Sequence, residues 1–272
     1  MISYWLSKIQ RTIKVISRMK KFKNLPHRIS SFITYVRQYR ISEEAYLHPD
    51  APLSRIANHS NFIDYISRHG NIEGKKVLEI GSRVVTTASY REYFYNAEYV
   101  GFDYYEGENV DVTGDAHRLS SYFKPEEKFD VIFSLNVFEH LAMPWLLPIE
   151  ISKLLKVGGI VFIGTHFSHS SHERPWHFYQ YSDMGLRALF NAKLGFECIE
   201  AGFSNPIIGR FSNLADEYLR RKPVTGLYCH SNYLGKKTKD IDINDFDWNK
   251  LKLNDVVGDT TYPELNSKPK MM

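Results

Sequence analysis

The sequence predicts an α/β fold, a mostly parallel sheet with helices on both faces, preceded by a helical N-terminal extension. Three observations point there. From residue 76 to residue 234, short apolar runs alternate with amphipathic helical segments. That is the pattern of a parallel sheet covered on both sides by its crossovers. The first run, Val77 to Ile80, ends in Gly81-Ser82, where a glycine lets the chain turn sharply and a ligand approach the backbone. The next run, YVGFD, ends in Asp103, twenty-two residues after Gly81. An acid at that spacing can accept hydrogen bonds from both hydroxyls of a ribose.

The elements follow in order. Residues 1–40 form a basic segment. On a helix, Ile2, Trp5, Leu6, Ile9, Ile13, Ile16 and Met19 share one side, while Lys8, Arg11, Lys14, Arg18 and Lys21 share the other, with Val15 as the main exception. Pro26 interrupts it, and residues 29–39 continue as a second basic helix. Residues 41–70 are a connector with Pro49 and Pro52, then a leading helix from Asn58 to His69 with Phe62, Ile63 and Ile66 inward and Gly70 as its stop. Strands are expected at 76–80, 99–103, 129–134, 160–165, 196–202 and 227–234. A helix at 148–156 ends at Gly158-Gly159. Another at 183–194 has Ser182 as N-cap and Gly195 as C-cap. The domain thus spans 71–235. Residues 236–272 are a polar C-terminal extension, read as poorly ordered or loosely attached, in which Trp248, Leu251 and Leu253 can dock locally.

Charge narrows the function classes. Residues 1–40 carry ten Lys or Arg and no Asp or Glu, while the other residues carry 25 basic and 31 acidic side chains. The basic character therefore belongs to the extension, which argues against a nucleic-acid footprint on the domain. A basic amphipathic helix suits the surface of an anionic membrane, self-association, or a targeting segment. No run of about 18 apolar residues predicts a membrane-spanning helix. Cys198 and Cys229 form neither a disulfide framework nor a metal spacing. The expected location is cytoplasmic, at the inner face of the membrane if the extension binds lipid.

Three stretches carry a resemblance: VLEIGSR at 77–83, YVGFDYYEGENVDVTGDAHRL at 99–119, and FDVIFSLNVFEHLAMPW through to the strand at 160–165. In this order and spacing they resemble the class I S-adenosylmethionine (SAM) dependent methyltransferases, across roughly residues 58–235. The resemblance implies a Rossmann-like, seven-stranded, mostly parallel sheet and SAM as cofactor. It also implies roles: Glu79 and the loop Gly81, Ser82, Arg83 beside the amino acid part of the cofactor; Asp103 on the ribose; Tyr104 over the adenine face; Asp115 on the adenine amino group, with the backbone of Ala116 at its edge; Asn136 and the following Val137 to His140 along the methionine side. The loop departs from the usual Gly-x-Gly-x-Gly, since only Gly81 remains. A subgroup of bacterial methyltransferases with Gly-Ser-Arg after the strand looks similar. On the residues alone, Asp103 could be a helix N-cap or a turn residue, Gly-Asp-Ala at Asp115 also suits a turn, and Glu79 could do no more than cap backbone amides.

The second concentration of chemistry is HFSHSSHERPWHFYQYS, His166 to Ser182. His166, His169, His172 and His177 invite a zinc reading, but the spacing is loose and no metal is expected. An acid–base role fits better, because a hydroxyl must lose its proton as it is methylated and a neutral imidazole can take it. His140, His172 and His177 are the catalytic candidates. Trp176, Phe178, Tyr179 and Tyr181 could exclude water and face the sulfonium cation. The expected activity is O-methyl transfer to a hydroxyl or carboxyl of a small molecule or sugar/glycan precursor. The alternative is a SAM-fold binding or assembly module without turnover. RNA methylation is disfavoured by the acidic domain, and SLNVFEH stands where a base-methylating enzyme would carry an Asn-Pro-Pro-Tyr-like motif.

Overall fold

The computed structural model describes residues 46–48, 50–85 and 89–257. The basic helices expected within 1–40 lie outside these. The described residues divide into two compact units, one within 50–207 and 226–257, the other within 46–48 and 208–225.

In the larger unit, α1 (Phe62–Gly70) leads into β1 (Lys76–Ile80). Next come β2 (Glu98–Asp103), β3 (Val112–Thr113) and β4 (Phe129–Leu135), then α2 (Leu146–Leu154), β5 (Leu155–His166), α3 (Asp183–Leu189) and β6 (Phe196–Pro206). The smaller unit contributes β7 (Gly209–Arg210) paired antiparallel with β8 (Pro223–Val224), beside which Arg210 donates to the Tyr46 hydroxyl at 3.1 Å. The larger unit resumes with β9 (Tyr228–Lys237) and closes its described part with α4 (Leu253–Val257).

The sheet has seven strands in the order β3-β2-β1-β4-β5-β9-β6. Neighbours from β3 to β5 are parallel, and β9 runs antiparallel to both β5 and β6. This is the Rossmann-like sheet the resemblance implied. Strand order reverses between β1 and β4, and in open α/β sheets ligands sit outside the carboxyl ends of the strands at such a point.

Alternation along the strands makes two cores. Val77, Val131, Phe133 and Phe162 face α1, where Phe62 stacks on Phe162 at 4.9 Å between centroids. Leu78, Ile80, Phe102, Ile132 and Ile163 face Leu147 and Ile151 of α2 and Leu186 of α3.

Two expected helices end earlier than the sequence suggests, for identifiable reasons. α2 stops at Leu154, not at Gly158-Gly159: the buried Lys237 ammonium of β9 donates to the carbonyls of Ser152 and Leu155 and closes the helix end. Gly158, at φ +86°, lies within β5 instead, in the segment where its register to β4 shifts. The helix over 183–194 breaks after Leu189 because the Asn191 side chain accepts from the amides of Lys193 and Leu194 and starts a separate turn, Ala192–Leu194. Ser182 caps the start of α3 as expected, but the C-cap of α3 is Phe190, and Gly195 closes the separate turn instead. In the polar C-terminal extension, Ile241, Phe246 and Trp248 pack against the α2–α3 core, so the stretch to residue 257 is attached. Among the described residues no helix is long and apolar enough to cross a membrane.

Candidate functional site

The carboxyl ends of β1 and β2 form the first half of the site. Gly81 turns the chain at φ +85°, its amide donating to the Phe102 carbonyl at 2.8 Å. A Cβ there would stand 2.2 Å from Val137 Cγ2, so the loop after β1 and the segment after β4 touch only because this residue is glycine. The next residue, Ser82, is buried and its hydroxyl makes no hydrogen bond. Asp103 closes β2 with a mostly buried carboxylate that accepts from the amides of Arg83 (3.3 Å) and Tyr105 (3.0 Å) and from Arg83 Nε (3.3 Å). The Arg83 guanidinium also lies over the Tyr105 ring, 5.6 Å from its centroid.

Asp115 follows β3. One of its oxygens, Oδ1, accepts from the amide of His117 at 2.9 Å and lies 2.7 Å from His117 Nδ1, capping the turn that Ala116 begins. Burial opposes ionisation here, but these contacts prevail and hold the carboxyl below its ordinary value. Its other oxygen, Oδ2, is 3.9 Å from Arg118 Nε. Asn136 follows β4 at φ +52°, with its amide on the Gly164 carbonyl. Tyr104 is exposed, edge-on to Tyr105.

Glu79 stands one layer behind the loop. Its carboxyl accepts from the Tyr99 hydroxyl and lies 3.5 Å from Asn109 Nδ2, which donates to the Ser82 carbonyl at 2.9 Å. Burial pushes this carboxyl up to about 8, against the Asn109 contact and the Arg91 charge.

These residues suit the nucleoside and amino acid of SAM. They offer an acid at the end of β2, a second acid with a carboxyl oxygen to spare, a backbone turn that leaves room, and an unpartnered buried hydroxyl at Ser82.

The second half lies beyond β4 and β5, where the fold gathers seven imidazoles: His59, His140, His166, His169, His172, His177 and His230. Ring centroids are 4.1 Å apart for His166 and His169, 5.0 Å for His140 and His172, 4.6 Å for His172 and His177, and 3.8 Å for the stacked His59 and His230. Beneath them the fully buried Glu139 accepts from Thr165 Oγ1 at 2.7 Å. His166 Nδ1 stands 2.9 Å from Glu139 Oε1 but off the line of a good hydrogen bond, leaving both atoms buried and unsatisfied. Burial would raise the Glu139 carboxyl, yet His166 and the Thr165 hydroxyl hold it below its ordinary value. His230 is pulled down to about 3, first by burial and then by the neighbouring rings.

Acceptors fix the tautomers, since a carbonyl oxygen can only receive. His140 Nδ1 is 2.8 Å from the Trp176 carbonyl, and His172 Nδ1 is 2.9 Å from that of Ser170, so both rings carry the proton on Nδ1 and a lone pair on Nε2. His177 is the reverse: its Nδ1 accepts from the His172 amide at 3.3 Å, so Nε2 carries the proton. Burial, then the charges of His172 and His140, lower its basicity.

The fold therefore brings the three expected catalytic histidines together and gives them different capacities. Sequence reasoning gave Glu139 no role of its own within the 137–140 segment and passed over His59 and His230; Glu139 had a usable signal: a carboxylate within the apolar stretch NVFEHL. Of the four expected shielding aromatics only Tyr181 is buried, with its hydroxyl on the Phe138 carbonyl at 2.9 Å; Trp176, Phe178 and Tyr179 are exposed. The loose histidine spacing that argued against a metal closes on folding: His166, His169 and His172 bring one ligand atom each to within 4.8 Å of one another, as do Glu139, His140 and His172. A separate cavity of about 430 Å³ at the opposite, amino-terminal strand ends is lined by His69, Lys75, Asp130, Lys156 and Lys236. It contains none of these groups.

A family described as a methyltransferase domain matches residues 54–204. Among solved structures, a SAM-dependent methyltransferase from Archaeoglobus fulgidus is 17% identical with a TM-score of 0.46, the match covering 76% of this chain and 99% of that one. One from Clostridium acetobutylicum ATCC 824 is 10% identical with a TM-score of 0.45, covering 79% and 100%. No curated protein matches the chain significantly.

Proposed function

Because the chain belongs to the methyltransferase-domain family, with S-adenosyl-L-methionine as cofactor, we propose that it methylates a hydroxyl of a sugar, glycan precursor or other small metabolite. The observation that carries this reading is the pair of imidazoles, His140 and His172, each with Nδ1 on a carbonyl and a bare Nε2, beside the Asn136–Val137 segment. A carboxylate acceptor arrives ionised and needs no base; a hydroxyl does.

When bound, SAM supplies an electrophilic methyl group on a sulfonium sulfur. Asp103 holds the ribose hydroxyls, Asp115 the adenine amino group beside Ala116, Gly81 and Ser82 the amino acid end, and Asn136 and Val137 the methionine side. His140 takes the acceptor's proton at Nε2. Glu173 Oε2, 3.7 Å from that nitrogen, is beyond hydrogen-bond range but near enough to favour the imidazolium that results. His177 offers an Nε2–H that holds the acceptor oxygen in place. Orientation supplies most of the acceleration, worth up to about 7–11 kcal/mol for aligned reactants, so few side chains need be chemical.

The basic segment 1–40 fits an enzyme whose acceptor is lipid-linked, in keeping with the glycan-type subgroup carrying Gly-Ser-Arg. Neutralising Lys8, Arg11, Lys14 and Arg18 together should abolish binding to anionic liposomes; unchanged binding would remove the membrane from the proposal.

The central test is calorimetric titration of SAM and its demethylated product, followed by transfer of labelled methyl to a panel of sugars and glycan precursors. Binding and an alkali-stable methyl ether are expected. A folded protein that binds neither ligand would overturn the reading, and an alkali-labile methyl ester would move the acceptor from hydroxyl to carboxyl.

A further inference from the structure

The histidines do more than supply a base. We propose that His166, His169 and His172 form a binding site for a divalent transition cation of the zinc class, with Glu139 behind it.

Three features converge. The first is proximity: one ligand atom from each ring lies within 4.8 Å of the other two. The second is orientation. Histidines that bind metal through one ring nitrogen characteristically give the other N–H to a carboxylate or a backbone carbonyl, which fixes the tautomer and raises the basicity of the ligating nitrogen. Two of the rings have that arrangement: His169 and His172 Nδ1 face the Ser170 carbonyl at 3.1 and 2.9 Å, which leaves each Nε2 lone pair for a ligand. His166 Nδ1 stands 2.9 Å from Glu139 Oε1, close to the same arrangement but not in it. The third is the unmet demand at the same place. Buried polar atoms are almost always paired, yet Glu139 Oε1 and His166 Nδ1 are not. A small rotation of the His166 ring toward a cation would align its N–H with Glu139.

The donor set selects the class. Three imidazoles match zinc and its neighbours, and are too few and too soft for calcium or magnesium. Zinc sites with three protein ligands keep a fourth position open. Bond lengths of 2.0–2.1 Å put tetrahedral ligands roughly 3.4 Å apart, so the rings must close by about an ångström. His169 is the one free to do so: it is exposed, whereas His166 is buried and His172 half-buried. Its ring is stacked on that of His166, and closure swings it off that stack. His140 is a neighbour of the site, its ring 5.0 Å from that of His172. An acceptor hydroxyl taken there would be acidified before His140 removes its proton. That last step rests on the methyltransferase reading; the metal site does not.

The test uses full-length, tag-free protein titrated with Co²⁺ as a spectroscopic probe and with Zn²⁺ for stoichiometry. One equivalent should bind, with the visible ligand-field absorption of a low-coordinate cobalt site. His169→Ala, at an exposed position that should not disturb folding, and His172→Ala should each weaken Co²⁺ binding by more than about 100-fold, beyond the range of an outer-shell change. His69→Gln, at the opposite strand ends, should titrate as the parent does. No cobalt spectrum, or ligand variants that bind as the parent, would overturn the site. Calorimetry with SAM on the same samples separates the two readings: SAM binding without cobalt binding sinks the metal site alone, and cobalt binding without SAM binding sinks the methyltransferase reading alone.

Discussion

On the β1–β2 side of the sheet edge, polar groups are mostly engaged. Asp103 accepts three N–H groups, Asp115 caps a turn, and the Glu79 carboxyl is held by Tyr99 and Asn109, with the Ser82 hydroxyl as the exception. On the β4–β5 side, three buried polar atoms, Glu139 Oε1, His166 Nδ1 and His177 Nε2, make no hydrogen bond, although imidazoles crowd around them. The first half is shaped by its own backbone and internal hydrogen bonds. The second stores unmet hydrogen-bonding capacity that a ligand would satisfy. Substitutions should therefore divide: changes on the histidine side should weaken the fold through buried charge, and changes on the nucleoside side should weaken binding or strain the loop.

The sharpest way to break this contrast is Glu139→Ala. The carboxylate is fully buried against His166 and Thr165, and its removal leaves the Thr165 hydroxyl and His166 Nδ1 buried without an acceptor, at about 1–3 kcal/mol each. Urea unfolding should show that loss, and Glu139→Gln, which still accepts from Thr165, should recover part of it. A loss below about 1 kcal/mol would mean that Glu139 is not what holds the histidines.

Gly81→Ala should come next. A left-handed backbone costs a side chain about 1–2 kcal/mol, and overpacking against Val137 adds about 1–3 kcal/mol. Unlike Glu139→Ala, it should also abolish SAM binding, because relief of the clash displaces the loop. A stable variant with parental affinity would show that the loop and the Val137 segment do not share one ligand.

Asp103→Ala should show the opposite balance, affecting binding but not folding. Its partner Arg83 is half exposed, so the ion pair contributes under about 1 kcal/mol to stability. Hydrogen bonds to a charged group are worth about 1.5–3 kcal/mol, so SAM affinity should fall roughly 10- to 100-fold in calorimetry with the unfolding midpoint nearly unmoved. Equal losses in both would place Asp103 with the structural caps.

These two halves were also unequally legible in the sequence. β1 could be read to the residue, because KVLEI is a β-rich apolar run closed by glycine. The Gly81-to-Asp103 spacing is local enough for sequence to carry it. The histidine half depends on tertiary placement: His59 precedes β1 and His230 lies on β9, yet their rings stack. No spacing rule links residues brought together by a sheet's crossovers. The same holds for the end of α2, closed by Lys237 from a distant strand rather than by the nearby glycines. Asn191 is a middle case. Its break of the helix was local, but a side chain that competes with the helix backbone looks in sequence like any polar residue on a helix surface.

At Glu79 the expected effect is a slope with pH, and it separates the fold from the chemistry. Burial holds its carboxyl protonated up to about 8, whereas the ordinary value is 4.5. Between those values the folded state binds a proton that the unfolded chain has released. Stability therefore falls as pH rises through this window, by up to about 1.4 kcal/mol per pH unit, and the whole contribution is present only below the lower value. Glu79→Gln keeps the shape of the neutral acid and cannot ionise, so this contribution to the slope should vanish. Urea midpoints at pH 5, 6.5 and 8 should decline more steeply for the parent than for the variant. Parallel declines would mean that Glu79 ionises freely in the folded protein and that Tyr99 and Asn109 hold a carboxylate. The loop it supports would then rest on a charge that the Arg91 guanidinium must balance, and the nucleoside half would be as dependent on buried charge as the histidine half.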